Sequence, residues 1–147
     1  MDWKSEAVDK LKQYEAKRQA LVSLPLEIAQ VESTMTSIRS SRVDGVAVKG
    51  SGSSGRENMM LSCIVQRDEL QRNLDRTKMW VDSVSGALSV LQADDRHILE
   101  RVYIYAEPKA VERLLDEYGL TEPSGMYKRI KKAIREFTIA MYGVVES

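Results

Sequence analysis

Apolar residues recur along this chain at spacings of three and four, the interval that brings side chains onto one face of a helix. Ala7, Leu11, Tyr14, Arg18 and Leu21 fall on one such stripe, interrupted only by Arg18, and Leu24, Ile28, Val31, Met35 and Ile38 continue it. Proline lacks an amide donor and its ring collides with the preceding turn. Pro25 is therefore expected to kink or restart a long or broken helix running from about Trp3 to Ser40. The stretch "SSRVDGVAVKGSGSSGRE" holds four glycines and several serines, a composition that predicts a flexible connection over 41–56, with "VDGVAV" as a short extended piece.

The stripe returns in its cleanest form between Glu57 and Gln92: Met60, Cys63, Arg67, Leu70, Leu74, Thr77, Val81, Val84, Leu88 and Leu91 keep the heptad alternation. Two such helices joined by a flexible loop predict an antiparallel coiled-coil hairpin over 1–92, although the same stripes can pair between the subunits of a homodimer. Arg67 and Thr77 are either tolerated polar positions or residues that fix the register.

After Leu91 the pattern shortens, which predicts a second domain over 93–147. Asp94 suits the N-cap of "DRHILERVYIY", with Ile98, Val102 and Tyr105 inward and Leu99 beside them. "AEP" breaks the run, and Pro108 suits the first turn of "KAVERLLDEY", with Val111, Leu114, Leu115 and Tyr118 inward. Gly119 stands where a helix closes on a left-handed residue, and Thr121 is the expected cap of a last helix reaching about Tyr142. Its stripe is Met126, Ile130, Ile134, Phe137 and Met141, with Ala133 and Ala140 at the edge. No period-two segment long enough for a confident strand occurs, so the expected fold is all-α.

Composition narrows the function classes. The chain has 147 residues, room for one ordinary domain or a small domain with an accessory element. A single cysteine, Cys63, excludes an intrachain disulfide and fits a reducing cytoplasm. No run of about 18 apolar residues is present, and "MDWKSEAVDK" lacks a secretory apolar segment. A soluble, cytoplasmic protein is expected. A lone histidine, His97, reads as structural or surface; Cys63, on the heptad stripe, reads as a small apolar residue. The neighbouring carboxylates Asp94 with Asp95 and Asp116 with Glu117 splay apart on a helix and read as cap and solvent charge. Gly50, Gly52 and Gly55 lack the Lys-Ser/Thr end of a phosphate-binding loop. No catalytic set, metal site or cofactor is expected.

Charge changes the picture only through its distribution. Basic and acidic residues balance at 22 each, yet Lys128, Arg129, Lys131, Lys132 and Arg135 gather against the single acid Glu136 between Ser124 and Gly143. A basic helix that follows another helix across a glycine-containing turn has the outline of a helix-turn-helix. Lys and Arg displace counterions from phosphates, and Arg129 and Arg135 have the fork geometry that pairs with guanine. Ser124 and Tyr127 lie within reach of phosphate or base. The candidate DNA-binding residues are therefore Ser124, Tyr127, Lys128, Arg129, Lys131, Lys132 and Arg135.

The order "LQADDRHILERVYIY…AVERLLDEYGLTEPSGMYKRIKKAIREF" resembles the fourth region of sigma-70 factors, and more closely the sigma-like part of phage transcriptional regulators of the RinA and ArpU type. The resemblance rests on Leu91, Arg96, Leu99 and Tyr103, then Leu115, Gly119 and Leu120, then "YKRIKKAI". The two heptad helices resemble the front of such regulators. Met126 comes seven positions after Gly119, one more than usual, with Pro123 inside the turn. The resemblance implies a non-enzymatic, phage-encoded regulator of transcription that binds double-stranded DNA, with the hairpin serving dimerisation or contact with bacterial RNA polymerase. The alternatives are a phage small terminase subunit that binds DNA for packaging, and a protein-interaction module gripping polymerase without touching DNA. On this reading Lys12 serves as a lysine remote from the interface.

Overall fold

The computed structural model describes residues 1–43 and 52–146, with side chains for 1–40 and 55–146. Among the described residues five α-helices follow in order: α1 (Trp3–Val43), α2 (Gly52–Ser89), α3 (Ala93–Leu99), α4 (Ala110–Glu117) and α5 (Pro123–Tyr142). A π-helical segment, Glu100–Ile104, follows directly on α3. No strand occurs among the described residues. The described residues form an all-helical fold.

Of the connection expected over 41–56, residues 44–51 lie outside the described residues, and with them most of "VDGVAV". Gly52 to Arg56 already belong to α2, so the helix reaches into a stretch whose composition argued against one. α1 runs unbroken through Pro25, so of the two alternatives the helix is long and does not restart there. The helix carries a proline whose interior cost is about 3 kcal/mol, offset by the apolar stripe on both sides of it.

The described chain divides into two compact units, one of Met1–Arg18 with Met79–Ser147 and one of Gln19–Lys78. In the first, Ala7, Leu11 and Val84 are completely buried, and Tyr14, Val81, Leu88 and Leu91 nearly so. The Tyr14 hydroxyl hydrogen-bonds the Ser85 hydroxyl, and Lys17 Nζ sits 5.5 Å from the Trp80 ring centre. In the second, Ile28, Val31, Met35 and Leu74 are buried while Leu21, Leu24, Met60, Cys63 and Leu70 stay half-buried. There Arg67 Nη1 approaches Met35 Sδ at 4.0 Å. The predicted stripes thus face inward in both units, to different depths.

The short helices complete the core of the first unit. α5 packs chiefly on α3 and also on α4, and α4 touches the π-helical segment. Ile98, Leu99, Leu114, Met126 and Phe137 are its largest fully buried apolar side chains besides Leu11 and Val84. Tyr105, expected inward, is 53% exposed, and Ile104 is buried in its place. The π-helical turn explains the difference, because a wider turn shifts every later side chain out of the 3.6-residue register. Asp94 does not cap α3: Gln92 is the N-cap and makes no side-chain bond. The first helical residue after Pro108 is Ala110, and Lys109 takes a left-handed φ of 56° before it, so Pro108 stands in the preceding turn. Among the described residues no helix is long and apolar enough to cross a membrane.

Candidate nucleic-acid interface

The turn that aims α5 is closed by two backbone bonds. The Leu120 amide donates to the Leu115 carbonyl at 2.9 Å, and the Gly119 amide donates to the Asp116 carbonyl at 3.3 Å. This is a Schellman closure, and it requires the left-handed residue that Gly119 supplies at φ 66°. Glu122 then turns extended and Pro123 opens α5 at its first turn, where a missing amide costs nothing. Thr121 is not the cap; Glu122 holds that position and caps through no side chain. Met126 is completely buried, so the longer turn still delivers the first inward residue of α5 to the core.

α5 has neighbours on two sides, and this changes its faces. Met126, Ile130, Ala133 and Phe137 are buried toward α3 and α4, which moves Ala133 from the expected edge to the centre. A second side meets α1: the Trp3 and Tyr142 rings lie 4.8 Å apart, and Lys10 Nζ sits 4.9 Å over Tyr142. Thr138 is completely buried, its hydroxyl donating to the Ile134 carbonyl at 2.6 Å. Ile134 and Met141 are only half-buried, and Ala140 is exposed.

Ser124, Tyr127, Lys128, Arg129, Lys131, Lys132 and Arg135 are all exposed on α5. Their surroundings differ. The Arg129 guanidinium stacks 5.0 Å from the Tyr118 ring centre, and the Tyr118 hydroxyl donates to Asp94 Oδ1 at 3.3 Å. Burial, with the Asp94 carboxylate beside it, holds that phenol above its ordinary pKa. Lys132 Nζ lies 3.8 Å from Oδ2 of Asp95, a buried carboxylate in the first turn of α3. Asp95 is favoured there by the open amides of the helix start. Lys131 lines a groove of about 500 Å³ together with Asp2, just before α1, and Lys4, Asp9 and Lys12 of α1. Lys128 and Arg135, two turns apart on α5, form no ion pair among the described residues.

A further set of charges lies at the end of α4. Arg101 bridges Glu107 and Glu117, its Nε 2.6 Å from Glu107 and its Nη1 2.6 Å from Glu117. His97 Nε2 stands 3.1 Å from the other Glu117 oxygen. The His97 bond first, and Arg101 after it, hold the Glu117 carboxyl below its ordinary range. Glu117 is therefore a tie between α4 and the segment before it, not the free solvent charge that its adjacency to Asp116 suggested. Asp95, expected with Asp94 as cap or solvent charge, is instead buried and faces Lys132, in a place that depends on the packing of α3 on α5. Among the described residues no cluster of three or more His, Cys, Asp or Glu is placed to hold a metal ion.

What this arrangement can do chemically is present cations at the surface of a well-anchored helix, the requirement for meeting phosphate. No protein-family model, curated protein or solved structure matches the chain.

Proposed function

We propose that the chain is a sequence-specific DNA-binding transcriptional regulator, reading double-stranded DNA with α5, and that it acts in the cytoplasm of a bacterial host as a phage late-gene activator. The observation that carries this reading is the pair Lys128 and Arg135, exposed and, among the described residues, in no ion pair, on a helix anchored by Met126, Ile130 and Phe137. α4, the turn at Gly119 and α5 act on this reading as a helix-turn-helix. α1 and α2 form an antiparallel hairpin, supported by the way Tyr14 pairs with Ser85 while Lys17, further along α1, pairs with Trp80, further back on α2. The function is binding rather than catalysis.

Selection from a random pool of duplexes tests the proposal. Enrichment of one motif by the wild-type chain, lost in Arg135→Ala with Lys128→Ala, is the expected outcome. Binding without enrichment favours packaging of DNA by a terminase-like subunit, which a ring of eight or more chains in solution would support further. A second reading, a protein-interaction module contacting RNA polymerase, draws on Leu26, Leu61 and Val65, which are 67%, 59% and 56% exposed on the long helices. No binding to any duplex at low salt favours that module.

A further inference from the structure

The five cations of α5 differ in what already holds them. Arg129 stacks on Tyr118, and Lys132 faces the buried Asp95, so both charges are engaged on the α3 and α4 side of the helix. Of the other three, Lys131 lines the groove with α1, and Lys128 and Arg135, three and four residues from it, are its neighbours on the helix surface. There the opposite wall of the groove carries Lys4 and Lys12, both exposed, and neither forms an ion pair among the described residues. Lys10 is excluded, because its ammonium sits over Tyr142. Resting on the DNA-binding reading, we infer that the phosphate backbone is met along the α1–α5 groove by Lys4, Lys12, Lys128, Lys131 and Arg135, and that Lys132 and Arg129 are positioning residues that seat α5.

The chemistry favours this partition. A lysine already facing a buried carboxylate gains less from a phosphate, since the contact must replace an existing attraction and leaves the carboxylate uncompensated. Cations with no partner release counterions without such a cost. Asp2 and Asp9 also line the groove and oppose an anion there. They limit the affinity of the groove, so removing the Asp9 charge strengthens binding. Lys12 accordingly changes from a remote lysine to part of the interface.

Salt dependence separates this partition from one in which all the α5 cations contact DNA. Each phosphate contact contributes about −0.9 to the slope of log K against log salt, so five contacts give about −4.5 under either assignment, and only variants distinguish them. The full chain is titrated into a fluorescent random-sequence duplex over a range of salt. Lys12→Ala, Lys4→Ala and Arg135→Ala are each expected to flatten the slope by about 0.9, while Lys132→Ala and Arg129→Ala leave it unchanged. Asp95→Asn, which frees Lys132 without removing it, is expected to steepen the slope by up to about 0.9, and Asp9→Asn to tighten binding. Flattening by Lys132→Ala as large as by Arg135→Ala, or an unchanged slope in both Lys4→Ala and Lys12→Ala, overturns the partition. Absence of salt-dependent binding by the wild-type chain overturns the DNA reading itself, and this inference with it.

Discussion

The two compact units carry the same heptad signal and bury it to different depths. In the unit containing α3 to α5, Leu11, Val84 and Phe137 are completely covered; in the unit of Gln19–Lys78, the stripe residues Met60, Cys63 and Leu70 stay half-buried, and Leu61 and Val65 lie exposed. The spacing of apolar residues sets which face turns inward, but the number of elements over that face sets how much water is removed. A pair of helices covers one side of each stripe, whereas short helices packed around a stripe close it. α5, which carries the candidate residues, belongs to the better-covered unit, as the proposed role in holding cations at fixed positions requires.

The largest expected effect breaks this contrast directly. Phe137→Ala is expected to cost about 3–5 kcal/mol and Leu70→Ala only about 1 kcal/mol, because the first leaves a cavity in a closed core and the second removes a side chain already half in water. Denaturant melts of the two variants check the difference; equal losses would remove it. In the opposite direction, Pro25→Ala is expected to stabilise the Gln19–Lys78 unit by up to about 3 kcal/mol, by restoring a helical hydrogen bond and relieving the ring. Slower hydrogen exchange across that unit, with little change elsewhere, is the result that sharpens the comparison.

A smaller effect belongs to the turn. Gly119→Ala places a side chain in a left-handed conformation and is expected to cost about 1–2 kcal/mol, although an added Cβ would meet nothing within 4 Å. Gly86→Ala, inside α2 and in open space, is expected to gain roughly 0.5–1 kcal/mol. Thermal melts of the pair separate a backbone cost from a packing cost.

The sequence was most legible where structure is local. Inward faces of α1, α2 and α4 follow from a period that each helix carries by itself, and Gly119 announces its own conformation. Tyr105 was misplaced because the register was extrapolated across a π-helical turn that no composition marks. Ala133 stands at the centre and not the edge because α3 and α4 set which part of the stripe is covered, and Thr138 was missed because a second neighbour, α1, arrives from more than a hundred residues away in sequence. The seven site residues were readable as an exposed set, but their inequality was not, since it depends on Asp95, Tyr118 and the groove with α1.

The smallest expected effect is a pH dependence at the end of α4. Glu117 has a depressed carboxyl pKa in the folded chain, so its contribution to stability is present above the ordinary carboxylate pKa and is lost as pH falls through the folded value. Glu117→Gln is expected to lower stability at neutral pH and to flatten its decline in acid, measured as melting temperature against pH. Parallel profiles for variant and wild type would place the tie elsewhere.

The central claim is that α5 presents its cations to DNA, and the most direct measurement is the affinity of the wild-type chain for a random-sequence duplex at two salt concentrations. Five phosphate contacts predict a loss of about 500-fold between about 50 and 200 mM monovalent salt. No binding at the lower concentration, or binding that salt leaves unchanged, would contradict it.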